Sequence, residues 1–141
     1  MNLLDTVLLS IHGIFGVLWI AFEFVLMVSL LRAKENNTAG NGIRVGMMGS
    51  RGMGGLTIIL GIILFALLSS ESKLPSFTSM QGILLLIGVA LAIIVYVVLN
   101  EGLLFRKLIA KDANLSGLRR LSGISAVLTL LVLILMVIGA M

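Results

Sequence analysis

One histidine, one tryptophan and a carboxylate lie within a single long apolar stretch near the start of the chain. His12, Gly16, Trp19, Glu23 and Met27 follow one another at helical steps, which brings all five onto one stripe of an α-helix. Along that axis His12 and Glu23 stand about 16 Å apart. Imidazole is the usual proximal ligand of haem iron. With Gly13 beside it and Gly16 one turn on, His12 sits on a helix surface low enough for a flat macrocycle. A histidine hydrogen-bonded between helices is the competing reading. Burying an ionisable group in a membrane is expensive, and such groups default to a functional role. Trp19 fits packing into the bundle or against a planar ligand. Glu23 has to be protonated, paired or hydrated, and Arg44 and Arg51 are its candidate partners. Glu101 is the second carboxylate set within apolar sequence, beside Tyr96 and Asn100.

The elements that position these groups are membrane helices. Of 141 residues, 60% are hydrophobic and 11% charged, and the mean hydropathy is +1.22. A soluble domain would carry roughly 25% charged residues. Four apolar runs are each long enough to cross a bilayer, which needs about 20 residues. Their continuous Leu, Ile and Val content lacks the alternation of a membrane barrel. The fold expected is an all-α, antiparallel bundle of four transmembrane helices, a single domain over 1–141, with helices at approximately 3–32, 54–70, 80–108 and 115–140. Absence of cysteine removes thiolate metal sites and disulfides.

The net charge of +4 comes from Lys and Arg at helix ends, where they set topology and meet anionic headgroups; nucleic acid is not an expected partner. Arg32, Lys34, Arg44 and Arg51 are assigned to the connection between helices 1 and 2. Arg106, Lys107, Lys111, Arg119 and Arg120 belong to that between 3 and 4, and only Lys73 falls in the turn between 2 and 3. The positive-inside rule then puts both termini outside, in a multi-pass protein of a prokaryotic plasma membrane. His12 lies towards the outer face and Glu23 towards the basic inner side. The first helix has no basic residue before it and no small-x-small site after it, so it reads as a retained helix.

The connecting segments carry weaker signals. The run Ile43–Gly55 holds five glycines, two arginines and three methionines. It is either an irregular loop or an interfacial extension of helix 2, and lacks the context of a phosphate-binding loop. Thr78 with Gln81 has the form of a capping box for helix 3, and Asn114 is a candidate cap for helix 4. Ser122, Ser125 or Ala126, and Thr129 form a packing stripe on helix 4.

His12 and Trp19 on a long first helix, Arg51 before a second helix with Thr57 and Gly61, and four helices in a short chain form a pattern. It resembles the small four-helix membrane proteins grouped around the haem-pathway protoporphyrinogen oxidase and the membrane domain of copper resistance protein D. The likeness covers roughly the first 65 residues. It implies haem b with His12 as ligand, and an oxidoreductase of the protoporphyrinogen oxidase type. The chain has no counterpart of the Pro-Arg-rich segment after the oxidase's first helix and no lysine in helix 2 or in helix 3 before its closing Lys107. The haem site therefore carries over better than the oxidase activity.

Three functions follow as expectations. The first is a haem b-binding redox protein or respiratory-complex subunit, with His12 as metal ligand and Gly16, Trp19, Arg44 and Arg51 around the cofactor. The second is a small dimeric proton-coupled transporter using Glu23. The third is a structural subunit docked through helix 4. A homo-oligomer or a larger membrane complex is expected in each case.

Overall fold

The computed structural model describes residues 3–33, 40–70, 79–110 and 114–140. Among these there is no strand, and four helices are long and apolar enough to span a membrane. Helix α1 is Leu3–Arg32 and α2 is Asn41–Ser70. Helix α3 begins at Met80, widens to a π-helix over Ile94–Leu104 and returns to α-helix over Phe105–Ala110. Helix α4 is Leu115–Ala140. The all-α four-helix architecture agrees with the sequence reading, and α1 packs chiefly on α2 and α4, α3 on α4.

Helix α2 differs from expectation, starting at Asn41 instead of residue 54. The glycine-rich segment is regular helix, and Arg44 and Arg51 lie on α2, not in a loop. Glycine is a weak helix former in water, but between membrane helices it lets backbones approach closely. A Cβ on Gly46 would lie 2.7 Å from the backbone of Leu26, so α1 and α2 touch there almost backbone to backbone. The helix 3 cap also differs: Ser79 is the N-cap, its Oγ accepting from the Gly82 N–H at 3.1 Å. Thr78 lies outside the described residues. Asn114 does cap α4, its Oδ1 accepting from Gly117 N–H at 3.1 Å.

Burial is uneven along the bundle. In α1 the buried side chains from mid-helix onward are Trp19, Ile20, Glu23, Leu26 and Leu30; the early half of α2 supplies Ile43, Ser50 and Thr57. The late half of α3 and the early half of α4 complete this packed end, with Leu104, Phe105, Leu108 and Leu118 closing on Leu26, Leu30 and Ile43. Ser122, Ser125, Ala126 and Thr129 are all buried, as the stripe on the fourth helix implied. Arg119 of α4 ties this end together: its Nε donates to Leu30 O at 2.8 Å, and its Nη2 to Leu31 O at 3.3 Å and Ala33 O at 2.8 Å. Leu30 and Leu31 are in the last turn of α1 and Ala33 follows it, where carbonyls lack the usual i+4 N–H donor; Leu30 O also accepts from Ala33 N–H at 3.3 Å. The other end, which carries the termini, packs less tightly and holds a cavity.

Gly46 and Gly52 offer a controlled comparison, since a Cβ on Gly52 meets nothing within 4 Å. Gly46→Val is expected to lower stability by about 1–3 kcal/mol through overpacking. Gly52→Ala should leave it unchanged or slightly raised. Thermal unfolding in detergent followed by circular dichroism checks both.

Candidate functional site

At the packed end the site is built around Glu23, which is fully buried. Four side chains from four helices meet its carboxyl group. Trp19, one turn earlier on α1, donates its Nε1–H to Oε1 at 3.2 Å. Ser50 of α2 donates to the same oxygen at 2.8 Å. Asn100 of α3 donates from Nδ2 to Oε1 at 2.5 Å. Ser125 of α4 lies 3.1 Å from Oε2 and 2.5 Å from Asn100 Oδ1. The Trp19 bond lies within α1, and the other three join α1 to α2, α3 and α4, so the carboxyl group is the point at which the bundle is joined.

The arginines expected beside Glu23 are elsewhere. Arg51 faces outward and pairs through Nε with Glu101 Oε1 at 2.8 Å, with the two side chains 44% and 32% exposed. Guanidinium stays where water or headgroups can reach it, and Glu23 takes neutral donors instead. Arg44 has no contact with Glu23 either. The sequence reading missed Ser50, and it placed Ser125 on the packing stripe of helix 4 without linking it to Glu23. It named Asn100 beside Tyr96 and Glu101, without linking it to Glu23.

The π-helical stretch explains Asn100. The inward positions of α3 run Ala92, Val95, Asn100 and Leu104. In regular α-helix the inward position after Val95 would be Leu99, and Asn100 would be turned by about 100°. The wider π turn inserts one residue and brings Asn100 to the carboxyl group. Gly102 lies in the same stretch, where a Cβ would come within 3.0 Å of Val97 O. Such π turns concentrate at functional sites.

Above Trp19, towards the termini, the helices enclose a cavity of about 390 Å³, within the size range of small-molecule and cofactor sites. Its wall includes His12, Gly13, Gly16 and Trp19 of α1, with Thr57 and Gly61 of α2. α3 contributes Leu86 and Val89, and α4 contributes Thr129, Val132 and Met136. Its rim reaches the outer surface at Ile62 and Val137, which are exposed. Thus three of the expected cofactor residues, His12, Gly16 and Trp19, share one cavity. Arg44 and Arg51 are not in its wall, and among the described residues no lysine or arginine is.

Polar groups facing the cavity are few. Thr57 Oγ1 donates to Met53 O at 2.6 Å and Thr129 Oγ1 to Ser125 O at 2.7 Å, both one turn back along their own helices. Trp19 sends its N–H to Glu23 and sets its ring edge-on to Tyr96, with centroids 6.1 Å apart and planes at 80°. His12 differs, because its Nδ1 is buried without a hydrogen-bond partner among the described residues. Its ring lies against Gly61, where a Cβ would be 3.0 Å from Cε1. Comparison with family models, with curated proteins and with solved structures finds no match to this chain.

A haem can be tested against this wall. One imidazole, glycine at the neighbouring positions and a thioether at Met136 are the groups in this wall that would meet the iron and the ring, since both His and Met serve as haem ligands. With no cation in the wall among the described residues, haem carboxylates would be met at or beyond its rim. No group of three or more His, Asp or Glu residues suited to a metal ion occurs among the described residues.

Removing Asn100 leaves the Ser125 hydroxyl without its acceptor and takes one donor from Oε1. Asn100→Leu is expected to cost about 1–3 kcal/mol. By contrast, Glu101→Gln breaks only the exposed pair and should cost about 1 kcal/mol or less. Unfolding midpoints of the two variants in the same detergent check the ordering.

Proposed function

We propose that this chain is a membrane haem b-binding redox protein or the haem-carrying subunit of a respiratory complex, with His12 as axial ligand. The observation that carries the reading is the His12 imidazole. It stands in the wall of an apolar cavity open to the lipid-facing surface, beside the Thr57 backbone, and its buried Nδ1 has no hydrogen-bond partner among the described residues. Every other polar side chain in that wall already has a partner within the bundle. Bound there, haem would supply one-electron transfer. The chain's own part is to present His12, to offer the glycine surface of Gly13 and Gly16, and to place Trp19 as the floor. Met136 is the sixth-ligand candidate within the wall.

The same reading places the protein in a prokaryotic plasma membrane with both termini outside, by the positive-inside rule. In support, Arg32, Arg44, Arg106, Lys107, Arg119 and Arg120 all lie near the helix ends at the packed side of the bundle. Outer surfaces of all four helices carry exposed Ile, Leu and Val, which suits lipid and also a neighbouring subunit.

Purified protein titrated with haem should develop a Soret band that His12→Ala abolishes. Gly61→Leu, which presses on the imidazole, should weaken binding at least tenfold, and Met136→Leu should change the spectrum while haem stays bound. A wild-type protein that takes up no haem, or a Soret band unaltered in His12→Ala, removes the reading.

A further inference from the structure

The hydrogens around Glu23 can be counted. Three contacts close a ring: Asn100 to Glu23 Oε1 at 2.5 Å, Asn100 to Ser125 Oγ at 2.5 Å, and Ser125 Oγ to Glu23 Oε2 at 3.1 Å. Each contact joins two polar atoms at hydrogen-bonding distance and needs one hydrogen between them. The Asn100 amide supplies one, because whichever way it is turned, one of its two contacts is made by nitrogen and the other by oxygen. The Ser125 hydroxyl supplies the second. No amide or hydroxyl is left for the third. With an ionised carboxylate, Oε2 would face an oxygen whose only hydrogen is committed to Asn100, in a site with no exposure to solvent. A buried charge with no counter-ion, and with one oxygen left without a donor, is strongly disfavoured.

We propose that Glu23 is an intramembrane proton-binding site, its carboxyl group holding a proton that completes the ring with Asn100 and Ser125. In the orientation drawn, Oε2–H donates to Ser125 Oγ and Ser125 donates to Asn100 Oδ1. Trp19, Ser50 and the Asn100 amide then donate to Oε1. No cation reaches the group from any helix packed on it. From α1 it meets Trp19, from α2 Ser50, from α3 Asn100 and from α4 Ser125. The charged neighbours in sequence, Arg51 and Glu101, are bonded to each other on the exposed side. Tyr96 gives its hydroxyl hydrogen to Arg51 O at 2.9 Å. The inference is independent of what the cavity binds.

A neutral acid is matched by an amide of the same shape, with the glutamine NH₂ replacing the acid O–H towards Ser125. Infrared spectroscopy of the full chain in lipid at neutral pH tests this, reading the carbonyl stretch of protonated carboxylic acids. Wild type and Glu101→Gln should show the band, and Glu23→Gln should lack it while unfolding within a few degrees of wild type. A wild-type protein without the band at neutral pH overturns the proposal whether or not the variants fold. So does a band that persists in Glu23→Gln. Glu23→Gln destabilised as much as Glu23→Ala would overturn it as well, because only an anion-requiring site distinguishes glutamate from glutamine in that way.

Discussion

A carboxyl group buried among four helices constrains everything around it. Glu23 is reached by one side chain from each helix, Trp19, Ser50, Asn100 and Ser125, and in hydrocarbon none of these polar groups has water as an alternative partner. Lipid tails are as apolar as the leucines of the helices, so apolar contact alone drives helix association weakly in a membrane. Polar contacts and close backbone approach have to specify the arrangement. Both occur at the same end. Gly46 lets α1 and α2 meet at Leu26, two short side chains, Ser50 and Ser125, keep the helices near the carboxyl group, and Arg119 caps the end of α1.

The cavity is the other side of this arrangement. Helices drawn together at one end separate towards the other unless large side chains fill the space, and there the inward positions are small or slender: Gly13, Gly16, Thr57 and Gly61. A packed end built on hydrogen bonds and an open end lined by glycine and aliphatic side chains therefore arise from one distribution of residues. Trp19 is the boundary between them, with its ring in the cavity wall and its N–H on Glu23.

The spans were legible because about 20 consecutive apolar residues have few other fates. So was the helix 4 stripe, where Ser122, Ser125 and Thr129 recur at packing spacing. The start of α2 was not. Five glycines in thirteen residues left a loop and an extension of helix 2 equally open, because glycine has low intrinsic helix propensity, and their role appears only when Leu26 and Tyr96 are placed against them. The grouping of His12, Gly16 and Trp19 followed from helical spacing alone. Assigning Arg51 to Glu23 failed because a charge search favours the strongest partner by type. A guanidinium that can stay at the exposed surface, beside Glu101, avoids the cost of desolvation. Asn100 was invisible as a ligand of Glu23 for a geometric reason, since periodicity of 3.6 turns it aside and only a π turn returns it.

That last feature bears on how the polar site tolerates its setting. A π-helix has poorer backbone geometry than an α-helix and persists where something else stabilises it. Here the compensation is local: Asn100 contributes to both oxygen-bearing neighbours at once, Glu23 and Ser125. Were α3 to relax to regular helix, Leu99 would turn towards the carboxyl group, and Glu23 and Ser125 would both lose a partner where water cannot replace it. Backbone pitch and the occupancy of the ring are therefore parts of one equilibrium. Opening the ring frees the π segment, and straightening the π segment opens the ring.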